Sequence, residues 1–187
     1  MNSHTSTPLR LEGVGVYLRP MRPAAANEIY LGWLHDREVT RYMEVRFQVH
    51  TLESLRAYVQ TMSADPANLL LAIVLKSSDR HIGNIKLGPI NPFHRSGDIG
   101  LFIGEKECWG KGYATEAIGL LAEYAFKKLK LHKLTAGCYA NNPGSAHAFE
   151  KAGFTVEAIR RSHYFCEKHF VDAILLGRLN PDEAQKT

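Results

Sequence analysis

Cysteine is scarce in this 187-residue chain: Cys108, Cys138 and Cys166 stand about thirty residues apart. An odd number at that spacing excludes a disulfide framework and the short intervals of a structural zinc site, so no metal is expected. Free thiols suit a reducing compartment. No apolar run approaches the ~20 residues that a bilayer-spanning helix needs, so no membrane partner is expected. The first ten residues, MNSHTSTPLR, are polar and hold no hydrophobic stretch of the signal-peptide kind. Residues 1–12 are expected to be a flexible tail, and the protein cytoplasmic. Internal repeats, low-complexity tracts and Pro/Gly/Ser linkers are also lacking, so one domain over residues 1–187 is expected. Neither sign of charge dominates. Lys and Arg number 23 against 19 Asp and Glu, and the net +4 fits a small polyanionic ligand as well as nucleic acid. No RNA-recognition signature with stacking aromatics is present, and direct nucleic-acid binding is not expected.

What is present has clear periodicity. Val14 to Pro20 reads as a short strand, and the segment from Pro23 to Asp36 as a helix with proline in its opening turn. Thr51 is a plausible N-cap, followed by Leu52, Leu55 and Val59 at helical spacing until Asp65-Pro66 ends the helix. The run LLLAIVL (Leu69 to Leu75) suits a strand covered on both faces. HIGNIKLGPI should return antiparallel to it, with DIGLFIG (Asp98 to Gly104) as the third strand. Ala114, Ala117, Ile118, Leu121 and Ala125 then form one stripe of a helix. KLTAGCYA is a strand, SAHAFEKAGF a short helix with Gly153 at its stop, and TVEAIRR and FVDAILLGRL two more strands. This order implies an α/β fold around a mixed, largely antiparallel sheet flanked by helices.

Between the third strand and the long helix lies CWGKGYATEA, residues 108 to 117. A glycine-rich bend feeding a helix N-terminus is suited to an anion, because the first N–H groups of the helix lack internal partners and the dipole adds positive charge. Lys111 adds a cation. A tight strand-to-helix turn would use the same glycines. Two familiar phosphate loops are absent. G-x-x-x-x-G-K-[ST] fails because five residues separate Gly104 from Gly110 and Gly112 follows Lys111, and G-x-G-x-x-G fails because Thr115 takes the third glycine's place. Downstream, NNPGSAHAFEKAGF puts Asn142 and Ser145 at the mouth of a short helix, where Ser145 could be an N-cap and Asn142 a turn residue.

Taken together, IGLFIGEKECWGKGYATEA and YANNPGSAHAFEKAGF, with RHIGNIKL and FVDAILLGRL, give a chain that resembles the GNAT superfamily of acetyl-CoA-dependent N-acetyltransferases from about Val14 to Leu179. That family's coenzyme loop has the form (Gln/Arg)-x-x-Gly-x-(Gly/Ala). Here Trp109 stands first, with Gly112 and Ala114 matching, a departure that resembles the branch of Rim-type ribosomal-protein and small-amine acetyltransferases. The resemblance implies a sheet splayed at the coenzyme cleft. Main-chain groups around Phe102 and Ile103 would pair with pantetheine. Gly110, Lys111, Gly112, Ala114 and Thr115 would cradle the pyrophosphate, and Asn142 would touch the pantetheine arm. The basic run Lys127 to Lys133 reads as a solvated helix end, or as a neighbour of the coenzyme's 3′-phosphate. Dimers are frequent in the branch, so a homodimer is possible.

An amine that attacks a thioester directly needs a neutral nitrogen, an oxyanion donor and a proton for the departing thiolate. A protein α-amine, titrating near ~8, loses its proton at pH 7 for about 1.4 kcal/mol, and a lysine near ~10.4 for about 4.6 kcal/mol. The tyrosine that many family members use to protonate the sulfur is replaced by Phe149, and the resemblance points instead to Ser145. Asp98 and His163 are the candidate bases, with Tyr164 and Glu44 as further options; Glu157 and Asp172 read as structural, and Cys138 as a buried strand residue. The acceptor pocket is expected from the segment Trp33 to Phe47 and the last hairpin, with Trp33, Arg41, Glu44, Arg46 and Tyr164 as contacts. Its arginines suggest an anionic small-molecule acceptor such as a nucleotide-linked amino sugar. A protein N-terminus is the alternative acceptor, and a non-catalytic acetyl-CoA-binding or RNA-associated module the alternative class.

Overall fold

A computed structural model describes residues 9–183 of the chain. Of the expected tail, residues 1–8 lie outside the described residues. Leu11–Glu12 form a two-residue strand, β1, paired with β2 (Val16–Pro20). A 3₁₀ turn (Pro23–Ala25) follows, then helices α1 (Glu28–His35), α2 (Arg37–Thr40) and α3 (Leu52–Ala64). Strands β3 (Leu69–Leu75), β4 (His81–Leu87) and β5 (Ser96–Ile103) precede α4 (Tyr113–Lys127). Strand β6 (Lys133–Tyr139), α5 (Pro143–Lys151), β7 (Thr155–Cys166) and β8 (His169–Leu179) complete the chain. All eight strands join one sheet in the order β1-β2-β3-β4-β5-β6-β8-β7, antiparallel except where β5 meets β6. The expected mixed sheet flanked by helices is the one observed. Among the described residues no helix is long and apolar enough to cross a membrane.

Strand β3 shows how the sheet is covered. Leu71, Ile73 and Leu75 point into the cluster formed with α4 and α5, while Leu70, Ala72 and Val74 point into the cluster formed with α1 and α3. A strand with helices on both faces has no polar side, which accounts for the unbroken apolar run. Each fully buried aliphatic side chain contributes about 1.5–3 kcal/mol.

Three expected boundaries move, each for a local reason. The helix expected from Pro23 is interrupted, because the Asn27 side chain accepts the amides of Ile29 and Tyr30 at 3.1 Å and restarts the helix there. Asp36 caps α2 in the same way. The first long strand begins at Val16, because Val14 and Gly15 donate their amides to the Glu116 carboxylate in the first turn of α4. The strand expected at TVEAIRR runs on through SHYFC as β7, and its register against β8 shifts between Arg160 and Tyr164. The turn sits at Glu167 and Lys168, whose φ values of 51° and 69° close the β7–β8 hairpin.

Gly104, at the end of β5, is required for close approach. A Cβ there would lie 2.1 Å from the Trp33 ring, which is buried against Phe102 and His81. Gly104→Ala is therefore expected to lower stability by about 1–3 kcal/mol. Urea unfolding would read this as a lower midpoint at unchanged slope.

Candidate active site

The cradle comes first in the chain. Gly110 and Gly112 adopt φ values of 71° and 84°, and open space surrounds the position of a Cβ at each. Gly112 is the N-cap residue of α4 and offers no side chain to its first turn. Among the described residues, no hydrogen bond uses the amides of residues 110–115, and the first helical bond of α4 is Glu116 N–H to Gly112 O at 3.0 Å. Six consecutive free amides at the positive end of a 15-residue helix, with Lys111 exposed among them, are built for an anion. A groove of about 560 Å³ continues from Thr115 along α4 past Gly119 to Lys151 and Arg178. The basic run Lys127 to Lys133 lies at the other end of α4, ~22 Å away at 1.5 Å per residue. There Lys127 pairs with Glu123 and Lys133 with Glu157, so the run is no neighbour of the cradle.

Strands β5 and β6 form a wedge. They pair only at Ser96–Lys133, Gly97–Leu134 and Asp98–Thr135, then part. Beyond Asp98 the backbone of β5 alternates. Gly88 N–H bonds Asp98 O and Gly104 N–H bonds Ile82 O, so the even residues, Phe102 among them, face β4. The odd residues Leu101 and Ile103 face the gap. The expectation placed on Phe102 therefore moves one residue, to Leu101: Phe102's main chain is committed to Asn84, and its side chain packs with Tyr30 and Trp33. Ile103 keeps a free N–H, while its carbonyl accepts the Trp109 indole at 2.8 Å. On the opposite arm the same parity turns Gly137 and Tyr139 toward the gap, and Tyr139 O accepts the amide of Asn142 at 2.9 Å.

At the mouth of α5 the capping roles differ from the expectation. Asn142 is the N-cap residue and accepts the Ser145 amide through its side chain at 3.3 Å, with Pro143 opening the helix. Ser145 is thereby free of capping. Its half-buried hydroxyl lies beside the Cys138 thiol, which burial pushes up and the hydroxyl draws down. Phe149 is fully buried against Phe154.

The other face of the wedge carries the remaining candidates. Asp98 sits where the strands part, its carboxylate accepting the Thr135 hydroxyl at 2.8 Å. Its surface reaches solvent, yet protein crowds it on most sides. This desolvation raises its pKa, against the smaller opposing pulls of Thr135 and Lys86. Tyr164 stacks on Tyr139 with ring centroids 4.0 Å apart, and its phenol is raised by burial first, then by Glu44, with Asp98 adding to it. Arg46 donates to the Tyr139 hydroxyl at 2.8 Å and to the carbonyls of Met43 and Phe165. Arg41 pairs with Glu167 at 2.7 Å. Among the described residues Glu44 and Asp98 have no ion-pair partner.

One expected contact, Trp33, falls outside this face, and one candidate base, His163, lies at its rim. Trp33 is buried behind β5, its indole donating to Glu105 at 3.0 Å, so it supports the strand and does not reach an acceptor. His163 is exposed at the β7 bulge with its ring against Tyr164. Leu101, Thr135, Gly137 and Tyr139 were not singled out from the sequence. Strand parity would have indicated Leu101 once the register was known, but nothing local marks Thr135 or Tyr139.

Comparison with known proteins bears on the family and the fold. The family model described as Acetyltransferase (GNAT) domain matches residues 16–155. The chain is similar to the Bacillus subtilis (strain 168) protein named "Probable N-acetyltransferase YjcK", 33% identical over 182 residues, covering 94% of this chain and 99% of that one. It is 33% identical over 91 residues to the spermidine N(1)-acetyltransferase of Vibrio cholerae, across 49% of this chain and 52% of the other. The solved spermidine N-acetyltransferase from Vibrio cholerae, in complex with CoA and spermine, superimposes with a TM-score of 0.79 at 23% identity, covering 89% of this chain and 96% of that one. This last likeness concerns the fold.

The raised carboxyl of Asp98 has a consequence for stability. A pKa higher in the folded than in the unfolded state gives stability that is complete below the ordinary ~3.9 and is lost as pH climbs through the raised value. Asp98→Asn is expected to melt above the parent protein at pH 7.5. The gap should close as pH falls toward ~4, and thermal melts across that range would read it.

Proposed function

The chain belongs to the GNAT acetyltransferase family, and from that premise we propose that its acceptor is a small cationic molecule bearing a primary amine. The protein is an acetyl-CoA-dependent N-acetyltransferase. The observation that carries the choice of acceptor is the state of the charges on the acceptor face. Arg41 is neutralised by Glu167, and Arg46 is spent on Tyr139 and two carbonyls, whereas Glu44 and Asp98 have no ion pair among the described residues. A nucleotide-linked amino sugar would find both arginines engaged. The names of the spermidine-acetylating relatives support a polyamine-like acceptor. The Trp109 variant of the coenzyme loop agrees with a place in the Rim-type branch.

Acetyl-CoA supplies the activated thioester. The free amides of residues 110–115 and Lys111 hold its pyrophosphate, which fits a cradle where open space replaces side chains at Gly110 and Gly112. Leu101 and Ile103 pair with the pantetheine arm as an added strand would, and the nucleotide end follows the groove toward Lys151. Because the cradle follows the open end of the wedge, the thioester lies toward the apex, near Asp98 and Thr135. Asp98 takes the proton from the acceptor ammonium, directly or through a water, and its raised pKa makes it a better base than an ordinary aspartate. The neutral nitrogen forms the N–C bond as the C–S bond breaks; the Ser145 hydroxyl gives the departing sulfur a proton, and the second proton lost by the acetylated nitrogen returns through water to restore that hydroxyl. His163, at the rim, is the second candidate base.

Acceptor-dependent thiol release from acetyl-CoA tests this reading. The panel holds polyamines and diamines, nucleotide amino sugars, peptides with N-terminal Ala or Ser, and aminoglycosides. The expected result is a saturable rate with polyamines, and a kcat about a hundredfold lower for Ser145→Ala with acetyl-CoA still bound. Turnover confined to the sugars or the peptides would replace the acceptor class. Acetyl-CoA binding without turnover of any acceptor would point to the non-catalytic module.

A further inference from the structure

Tyr139 ends β6 on the acceptor face, and its side chain is 4% exposed. A buried phenol must have its hydroxyl satisfied, and here both capacities are filled. The Arg46 guanidinium can only donate, so the phenol oxygen accepts from it at 2.8 Å. That leaves the single phenol proton for Glu44, whose Oε1 accepts it at 2.5 Å. The guanidinium polarises the phenol and strengthens the second bond. The ring is locked as well, stacked on Tyr164 at 4.0 Å and tilted against Tyr42 at 5.7 Å. Burial, followed by the bond to Glu44, pushes the phenol up to about 12, so the donor persists at every working pH.

Glu44 stands on a short exposed 3₁₀ turn, Glu44–Phe47, where a carboxylate would ordinarily swing freely. Tyr139 removes that freedom. One carboxylate oxygen is occupied, and Oε2 remains for an incoming cation. The position of this cation site along the wedge is set by β6. Asp98 is anchored to Thr135, and Glu44 to Tyr139 four residues further along. Residues i and i+4 of a strand share a face, and the two anchor points lie roughly 13 Å apart. One carboxylate thus stands at the apex, and the other toward the open end.

We propose that Tyr139 is a positioning residue that selects acceptors with a second amine: it holds Glu44 where the non-reacting ammonium of a diamine or polyamine lies while the reacting nitrogen is at Asp98. This rests on the reading of a small cationic acceptor. Arg46 serves the same arrangement from behind, orienting the phenol rather than meeting the acceptor.

The test compares cadaverine with pentylamine, which share a five-carbon chain and differ in the second amine, in the parent protein, Tyr139→Phe, Glu44→Gln and the double variant. In the parent, kcat/KM should favour cadaverine. Tyr139→Phe keeps the stacked ring and removes only the hydroxyl. It should lower that preference roughly ten- to a hundredfold, the size of one charge-assisted hydrogen bond, through the KM for cadaverine rather than kcat. Glu44→Gln should lower it at least as far, and the double variant no further than Glu44→Gln alone. A parent that acetylates cadaverine and a Tyr139→Phe variant with the same preference would overturn the role of Tyr139 and leave the acceptor class standing. Equal losses for both amines would do likewise, marking Tyr139 as structural only. A parent that acetylates no amine of the panel would overturn the acceptor class and the selection together.

Discussion

The short parallel contact between β5 and β6 is the constraint on which the site depends. Each strand is fully paired on its other side, β5 to β4 and β6 to β8, so neither can turn to close the gap. Three ladder positions hold them together, and beyond Asp98 the facing backbone groups have no partner strand. Unpaired backbone polar groups inside a protein are costly, and the fold limits their number by tying the carbonyls at the end of each arm. Trp109 takes Ile103 O, and Asn142 takes Tyr139 O. What remains open is the middle of the wedge, where a chain-like molecule with amide groups can complete both arms.

The same parting sorts the chemistry by face. Cys138 points toward α5 and its Ser145 hydroxyl, whereas Thr135 and Tyr139 point the other way, toward Asp98 and Glu44. Alternation along one strand thus places the Ser145 hydroxyl on one side of the sheet and the two carboxylates on the other. The cradle adds a third point, beyond the end of β5, where α4 begins. That helix is aimed by Glu116, whose carboxylate accepts the amides of Val14 and Gly15 and fixes the first turn of α4 against the β1–β2 turn. An acid in the first helical turn is favourable in any case, and here it also leaves the six amides before it free.

Charge between Trp33 and Phe47 shows why composition has to be read together with pairing. Three arginines between Trp33 and Phe47 suggest an anion. Yet Arg41 meets Glu167 at the tip of the β7–β8 hairpin, and Arg46 bridges Met43, Tyr139 and Phe165. These arginines tie the segment around Glu44 to the far edge of the sheet, and among the described residues Glu44 and Asp98 are left without an ion pair. A guanidinium with several donors in a rigid fork suits such a brace between backbone carbonyls and a phenol.

Local sequence determined much of this protein, because several features need only neighbours. The stripe of α4, the two-faced burial of Leu69–Leu75, the Thr51 cap, and the glycine bend before Tyr113 all follow from spacing and backbone freedom. The glycine bend ahead of α4 was therefore legible, and so was the fold around it. The surroundings of Glu44 were not. Trp33 became core because Gly104 lets the ring lie over β5, and Asn142 rather than Ser145 capped α5 because Pro143 fixed the first turn. Tyr139 gained its place only when β6 brought it to Glu44 and Arg46, 95 and 93 residues earlier in the chain. Contacts between such distant residues depend on strand register and on which side chains pair with one another, and neither is written in any local pattern. Tertiary structure alone decided which charges pair with one another and which, among the described residues, stay without an ion pair.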